Sequence, residues 1–144
     1  MVWYLNIMIN KKIHFVFDRK NKINKQKIKL LKKYKNYQPN KCDLIAVFGG
    51  DGFMLQTLKR LRKFDKPFYG MNVGTYGFLM NKFRTKNFMH NVSKSKPITI
   101  LALQMIARTS KNIIKRCIAI NEISMLRQSK QTASLQIKKG KKII

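Results

Sequence analysis

"AVFGGDGFML", residues 46–55, decides how this chain is read. An apolar run ends in two glycines, an aspartate and a third glycine. Helical spacing then follows at Phe53, Met54, Leu55, Leu58, Leu61 and Phe64, which predicts a helix over 53–64. "DLIAVF", 43–48, suits a strand buried on both faces of a parallel sheet. Ligands of open α/β sheets bind beyond the carboxyl ends of the strands, and "GGDG" falls at such an end. A plain strand-to-helix turn with Asp51 as N-cap explains one aspartate and one glycine. It does not explain Gly49, Gly50 and Gly52 together. Glycines permit positive φ and let a ligand approach the backbone. The N–H groups of the loop and the helix start form an anion site suited to phosphate. The loop has neither the GxxxxGK[ST] nor the GxGxxG pattern. It therefore sets a carboxylate among phosphate-binding amides, as a phosphoryl-transfer site does for a base or metal ligand.

Outward from this loop the first half alternates strand and helix. "KIHFVF", 12–17, is a short β-prone run. Residues 19–37 carry Ile23, Ile28, Leu30, Leu31 and Tyr34 at helical spacing on a basic background, with Pro39 and Asn40 as the stop. "PFYGMNVG", 67–74, predicts a strand running into a glycine-containing loop, and 84–93 predicts a short helix. The pattern then turns to strands alone. "PITILALQMIAR", 97–108, and "RCIAINEISMLR", 116–127, form a predicted hairpin around "TSKN". "TASLQIKKGKKI", 132–143, alternates as a strand with one wet face. The expected fold class is α/β, an open parallel-sheet N-terminal domain over 1–96. The first strands of an incomplete β-rich domain follow over 97–144.

The chain has 144 residues, 32 basic and five acidic, for a net charge of +27. Clustered Lys and Arg would indicate nucleic-acid binding. Here the charge is spread along the chain, and Lys outnumbers Arg 25 to seven beside abundant Asn and Ile. That is the composition an AT-rich genome supplies. The aromatics Phe15, Phe17, Phe48, Phe64 and Phe78 stand at apolar-patterned positions, which predicts core rather than a stacking surface. No specific nucleic-acid partner is expected. Cys42 and Cys117 show no CxxC spacing, and His14 and His90 are isolated, so no side-chain metal site is expected. No run approaches ~18 apolar residues, so no membrane association and a cytoplasmic location are expected.

At this point the sequence resembles a family. "GGDG" recurs in a superfamily of NAD kinases, diacylglycerol and sphingosine lipid kinases, and 6-phosphofructokinases. "GMNVGTYGFL", 70–79, is similar to the NAD kinase pattern G-[IV]-N-x-G-x-x-G-F-L, and "AINEISMLR", 119–127, is similar to that family's Asn-Glu motif. The resemblance covers 43–127 and implies an α/β domain, a β-sandwich domain and an active site between them. It implies phosphoryl transfer from ATP or polyphosphate to the 2′-hydroxyl of the NAD adenosine ribose, giving NADP, with a divalent metal, Mg2+, carried on the ATP. By position, Asp51 matches the base, with Gly49, Gly50 and Gly52 around it at the phosphates. Phe78 and Leu79 match the NAD pocket, and Asn121 and Glu122 match residues holding the NAD ribose and base.

Each of these residues also has a structural reading. Phe78 and Leu79 fit plain core packing. Asn72 fits a loop brace as well as a ligand contact. Glu122, the chain's one Glu, fits an inward acid in an apolar strand. Two departures stand out. Phe53 occupies the place where the family usually has Thr after GGDG. The family's downstream Asp-Gly element and Gly-Ser-Thr-Ala-Tyr loop do not occur before Ile144. A fragment or an inactive truncated remnant of such a kinase is thus the alternative expectation, beside a basic nucleic-acid-binding protein. Family members assemble as homo-oligomers through the sandwich domain, so the full-length protein is expected to do the same.

Overall fold

The computed structural model describes residues 11–19, 24–74, 77–84 and 86–143. The chain divides into two units, Met1–Thr99 and Ile100–Ile144. The first holds a four-stranded parallel sheet in the order β1 (Ile13–Phe17), β2 (Leu44–Gly49), β3 (Phe68–Asn72), β4 (Asn81–Lys82). Its helices are α1 (Asn24–Lys33), α2 (Asp51–Leu61) and α3 (Phe88–Lys94). The α/β architecture expected from the strand–helix alternation is thus the one observed.

Every residue of β2 is buried, which is why its sequence is continuously apolar. Its side chains alternate between two cores. Leu44, Ala46 and Phe48 join Ile13, Phe15, Tyr69 and Met71 under Leu30 of α1 and Phe88 and Val92 of α3. Ile45 and Val47 join Val16 under Met54 and Leu61 of α2. The sheet is therefore covered on both faces. Phe88 is the hub of the first core, fully buried with Phe15, Tyr34, Phe48 and Tyr69 rings 5.8 to 6.2 Å away. Such tilted and edge contacts add to plain area burial. Burial also pushes the Cys42 thiol and the Tyr69 phenol up from their ordinary values.

Several boundaries differ from the sequence expectation. α1 ends at Lys33, well before Pro39, because Asn36 and Tyr37 leave the helix to cover the edge of β1. Tyr37 N–H donates to Ile13 C=O at 2.9 Å, and the Asn36 Oδ1 accepts from Phe15 N–H at 2.9 Å. Ile23 lies outside the described residues. α2 starts at Asp51 rather than near Phe53, and a 3-10 turn, Arg62–Phe64, finishes it. β4 has no sequence signature, since two residues are too short to show alternation.

The second unit contains two hairpins among its described residues. β5 (Leu103–Arg108) pairs antiparallel with β6 (Ile114–Ala119), around a turn closed by Asn112 N–H to Thr109 C=O at 2.9 Å. The predicted hairpin about "TSKN" is present, but shorter: residues 97–102 and 120–127 are not strand. Residues 132–143 do not form one alternating strand. A tight hairpin of β7 (Lys138–Lys139) and β8 (Lys142–Ile143) turns on Gly140 at φ 63°. A left-handed glycine there reverses the chain and breaks the run.

Candidate functional site

The site is built where two adjacent parallel strands end. Gly49 at the end of β2 is in register with Asn72 at the end of β3, and Val73 N–H donates to Gly49 C=O at 2.9 Å. The loops leaving the two strands therefore begin side by side. Gly50 is the N-cap of α2, and Asp51 is its first helical residue, not its cap. Met54 N–H closes the first helical turn on Gly50 C=O at 3.0 Å. The N–H groups of the first turn have no partner within a helix, and the dipole there favours a negative charge. Asp51, an acid in that first turn, meets the preference.

The Asp51 carboxylate reaches across to the second loop. Oδ2 accepts from Phe78 N–H at 2.7 Å and Oδ1 accepts from Leu79 N–H at 3.2 Å. Two of the sequence motifs, "GGDG" and "GMNVGTYGFL", are thus joined by one side chain. Asn72 braces the start of the same loop: its Oδ1 accepts from Gly74 N–H at 2.8 Å. Thr75 and Tyr76 lie outside the described residues.

The glycines act differently from the sequence expectation of positive φ. None of Gly49, Gly50 and Gly52 has one; Gly50 is extended at φ −104°, ψ 179°. Gly49 is instead required by packing, since a Cβ there would stand 2.6 Å from Phe53 Cδ1. The unusual Phe53 thus lies against the loop, where its ring fills the space beside Gly49. Nothing lies within 4 Å of a Cβ placed on Gly50 or Gly52. That leaves open surface beside the first-turn amides, a shape that admits a phosphate group.

Phe78 is 99% exposed and Leu79 39%, so the core expectation for Phe78 is overturned. Apolar patterning placed it inward, but its backbone is held by Asp51 on the rim, which turns the ring to solvent. Phe64, by contrast, packs against the second core as expected. Asn121 and Glu122 belong to the second unit. Both are exposed and lie past the end of β6, not within a strand. The strand stops at Ala119 because its pairing ends there, opposite Leu103 where β5 begins. Sequence reasoning missed Gly77 and the amides of Phe78 and Leu79. Main-chain donors leave no trace in residue type; the glycine in "GTYGFL" was the available signal.

Among the described residues no helix is long and apolar enough to cross a membrane, and no three His, Cys, Asp or Glu side chains cluster as a metal site. A sequence model of the ATP-NAD kinase N-terminal domain matches residues 4–95. The chain is 44% identical over 117 residues to an NAD kinase of Zymomonas mobilis, spanning 80% of this chain and 45% of that protein. It is 43% identical over 105 residues to an NAD kinase of Hyphomonas neptunium, 73% of this chain and 41% of that one. An NAD kinase of Brucella suis matches at 39% over 126 residues, 87% and 49%. The chain thus spans less than half the length of these relatives. With the α/β sheet, the GGDG loop at its carboxyl edge and these matches together, the chain belongs to the NAD kinase family.

Proposed function

We propose that this chain carries the phosphate-facing part of an NAD kinase site. In this reading ATP or polyphosphate donates a phosphoryl group to the 2′-hydroxyl of the NAD adenosine ribose. The 2′-oxygen forms a bond to the terminal phosphorus, the bond to the leaving phosphate breaks, and the hydroxyl proton passes to Asp51. NADP and ADP, or a shortened polyphosphate, leave. A ribose hydroxyl is a poor nucleophile until a carboxylate accepts its proton. The rest of the catalysis is positioning and neutralisation of phosphate charge.

The amides at the start of α2, opened by Gly50 and Gly52, cradle the donor. Mg2+ arrives with ATP as part of that substrate. Phe78 and Leu79 face the adenosine. Asn72 keeps the loop in place. The observation that supports this best is the Asp51 carboxylate standing at a helix start between two loops at the sheet's carboxyl edge.

The test is NADP formation by the purified protein, supplied separately with ATP and with polyphosphate. In the full-length protein Asp51→Asn is expected to lower turnover by about 10²- to 10⁴-fold, the usual worth of a positioned base. Turnover within a few-fold of the unsubstituted protein would remove Asp51 from the chemistry.

A further inference from the structure

Both oxygens of Asp51 are occupied by main-chain donors of a segment 27 and 28 residues further along the chain. Each oxygen accepts one such bond and keeps a lone pair for a proton, so this pairing is a task beyond that of a base. We propose that Asp51 is also the anchor that fixes residues 77–79, and that Gly77 is the positioning residue that lets the anchor form. The consequence falls on Phe78. Its ring is 99% exposed, so no packing fixes it, and its backbone bond to Asp51 is what places it. Hydrogen bonds to an ionised acceptor are shorter and stronger than neutral ones, and the 2.7 Å bond to Phe78 N–H is of that kind.

Gly77 makes room for this arrangement. A Cβ there would stand 2.9 Å from Asn72 Nδ2, 3.2 Å from Asn72 Cγ and 3.0 Å from Asp51 Oδ1. Both contacts are side-chain ends, but each side chain is already engaged, the Asp51 oxygens by Phe78 and Leu79 N–H. Asn72 is tied to Gly74 N–H, and Asp51 sits in the first turn of α2. A methyl group at 77 therefore disturbs the Asp51 anchor, whether the segment or the carboxylate gives way. The same carboxylate thus sets the acceptor-facing aromatic and stands at the reacting hydroxyl. The second half of that statement rests on the NAD kinase reading; the anchor itself does not.

Amide hydrogen exchange, followed by NMR on the 144-residue chain, separates the two. The Phe78 and Leu79 amides are expected to exchange slowly despite their exposed side chains. Asp51→Ala, which removes both acceptors, is expected to speed their exchange by roughly tenfold or more while the β2 and β3 amides keep their protection. Asp51→Asn keeps one acceptor oxygen and falls between. Gly77→Ala is expected to speed both amides with Asp51 intact. In kinetics Gly77→Ala is expected to raise KM for NAD by about tenfold with a smaller fall in kcat, and Asp51→Asn the reverse.

Unprotected Phe78 and Leu79 amides in the unsubstituted chain would overturn the anchor without any variant. So would unchanged exchange in a folded Asp51→Ala chain. If the protein phosphorylates no NAD but the exchange pattern holds, the kinase reading fails and the anchor stands.

Discussion

Gly49, Gly50 and Gly52 look alike in sequence and are held for different reasons. At Gly49 a Cβ would meet the Phe53 ring at 2.6 Å. Gly49→Ala is expected to destabilise the first unit by about 1–3 kcal/mol, the usual cost of overpacking, seen as a lower midpoint in thermal unfolding. Gly52 lies inside α2 with open space around it. Gly52→Ala is expected to stabilise the fold by up to about 1 kcal/mol through helix propensity. The added methyl projects onto the open surface assigned to the donor phosphates. The same variant is therefore expected to raise KM for ATP. A Gly52→Ala protein that is more stable and equally good with ATP would move the donor away from this helix start. The GGDG motif was legible because a carboxylate between glycines is chemically odd. Which glycine is structural was not, because that depends on Phe53, four positions away and folded back.

At the level of elements, β2 and α2 were plain in the sequence because burial on both faces and burial on one stripe leave different periodicities. α3 was visible as a short helix over 84–93, but its weight in the fold was not. Phe88 looks like one more apolar residue beside Met89 in a polar stretch, yet it is fully buried among four aromatic rings, from β1, the residue after α1, β2 and β3. Phe88→Ala is expected to cost about 3–5 kcal/mol, enough to unfold a marginal domain. Phe88→Leu keeps most of the volume and is expected to cost clearly less. Chemical denaturation followed by near-ultraviolet circular dichroism reads both; equal effects from the two changes would mean that cavity volume is not what matters there. The Asn-Glu motif illustrates the opposite failure. "AINEISM" alternates well enough to suggest a strand, but a strand needs a partner, and pairing with β5 stops at Ala119.

For the whole molecule, two properties act against each other. The charge of +27 repels copies of the chain and attracts polyanions. Binding to DNA is expected to be weak, strongly salt-dependent and indifferent to sequence; discrimination above about 10³-fold between sequences would show a real nucleic-acid function. Against the repulsion stand apolar side chains. Every buried hydrophobic residue among those described lies between Ile13 and Val92, so the first unit owns a core. In the second unit Leu101, Leu103, Ile106, Met125, Leu126, Leu135 and Ile137 are all exposed. β5 and β6 form a two-stranded hairpin whose outer edges carry no further strand among the described residues. Such edges and patches favour self-association. At low salt the repulsion acts over tens of ångströms, about 30 Å at 0.01 M, and is cut to about 3 Å at 1 M. The 144-residue stretch expressed by itself is therefore expected to stay monodisperse at low salt and to associate as salt rises. A nucleic-acid complex would do the reverse and fall apart. Light scattering across a salt series separates the two. Residues 1–99 alone, which keep the core and lose the exposed hairpins, are expected to stay monodisperse throughout. Equal association of the 1–99 chain would place the sticky surface on the first unit and clear the second.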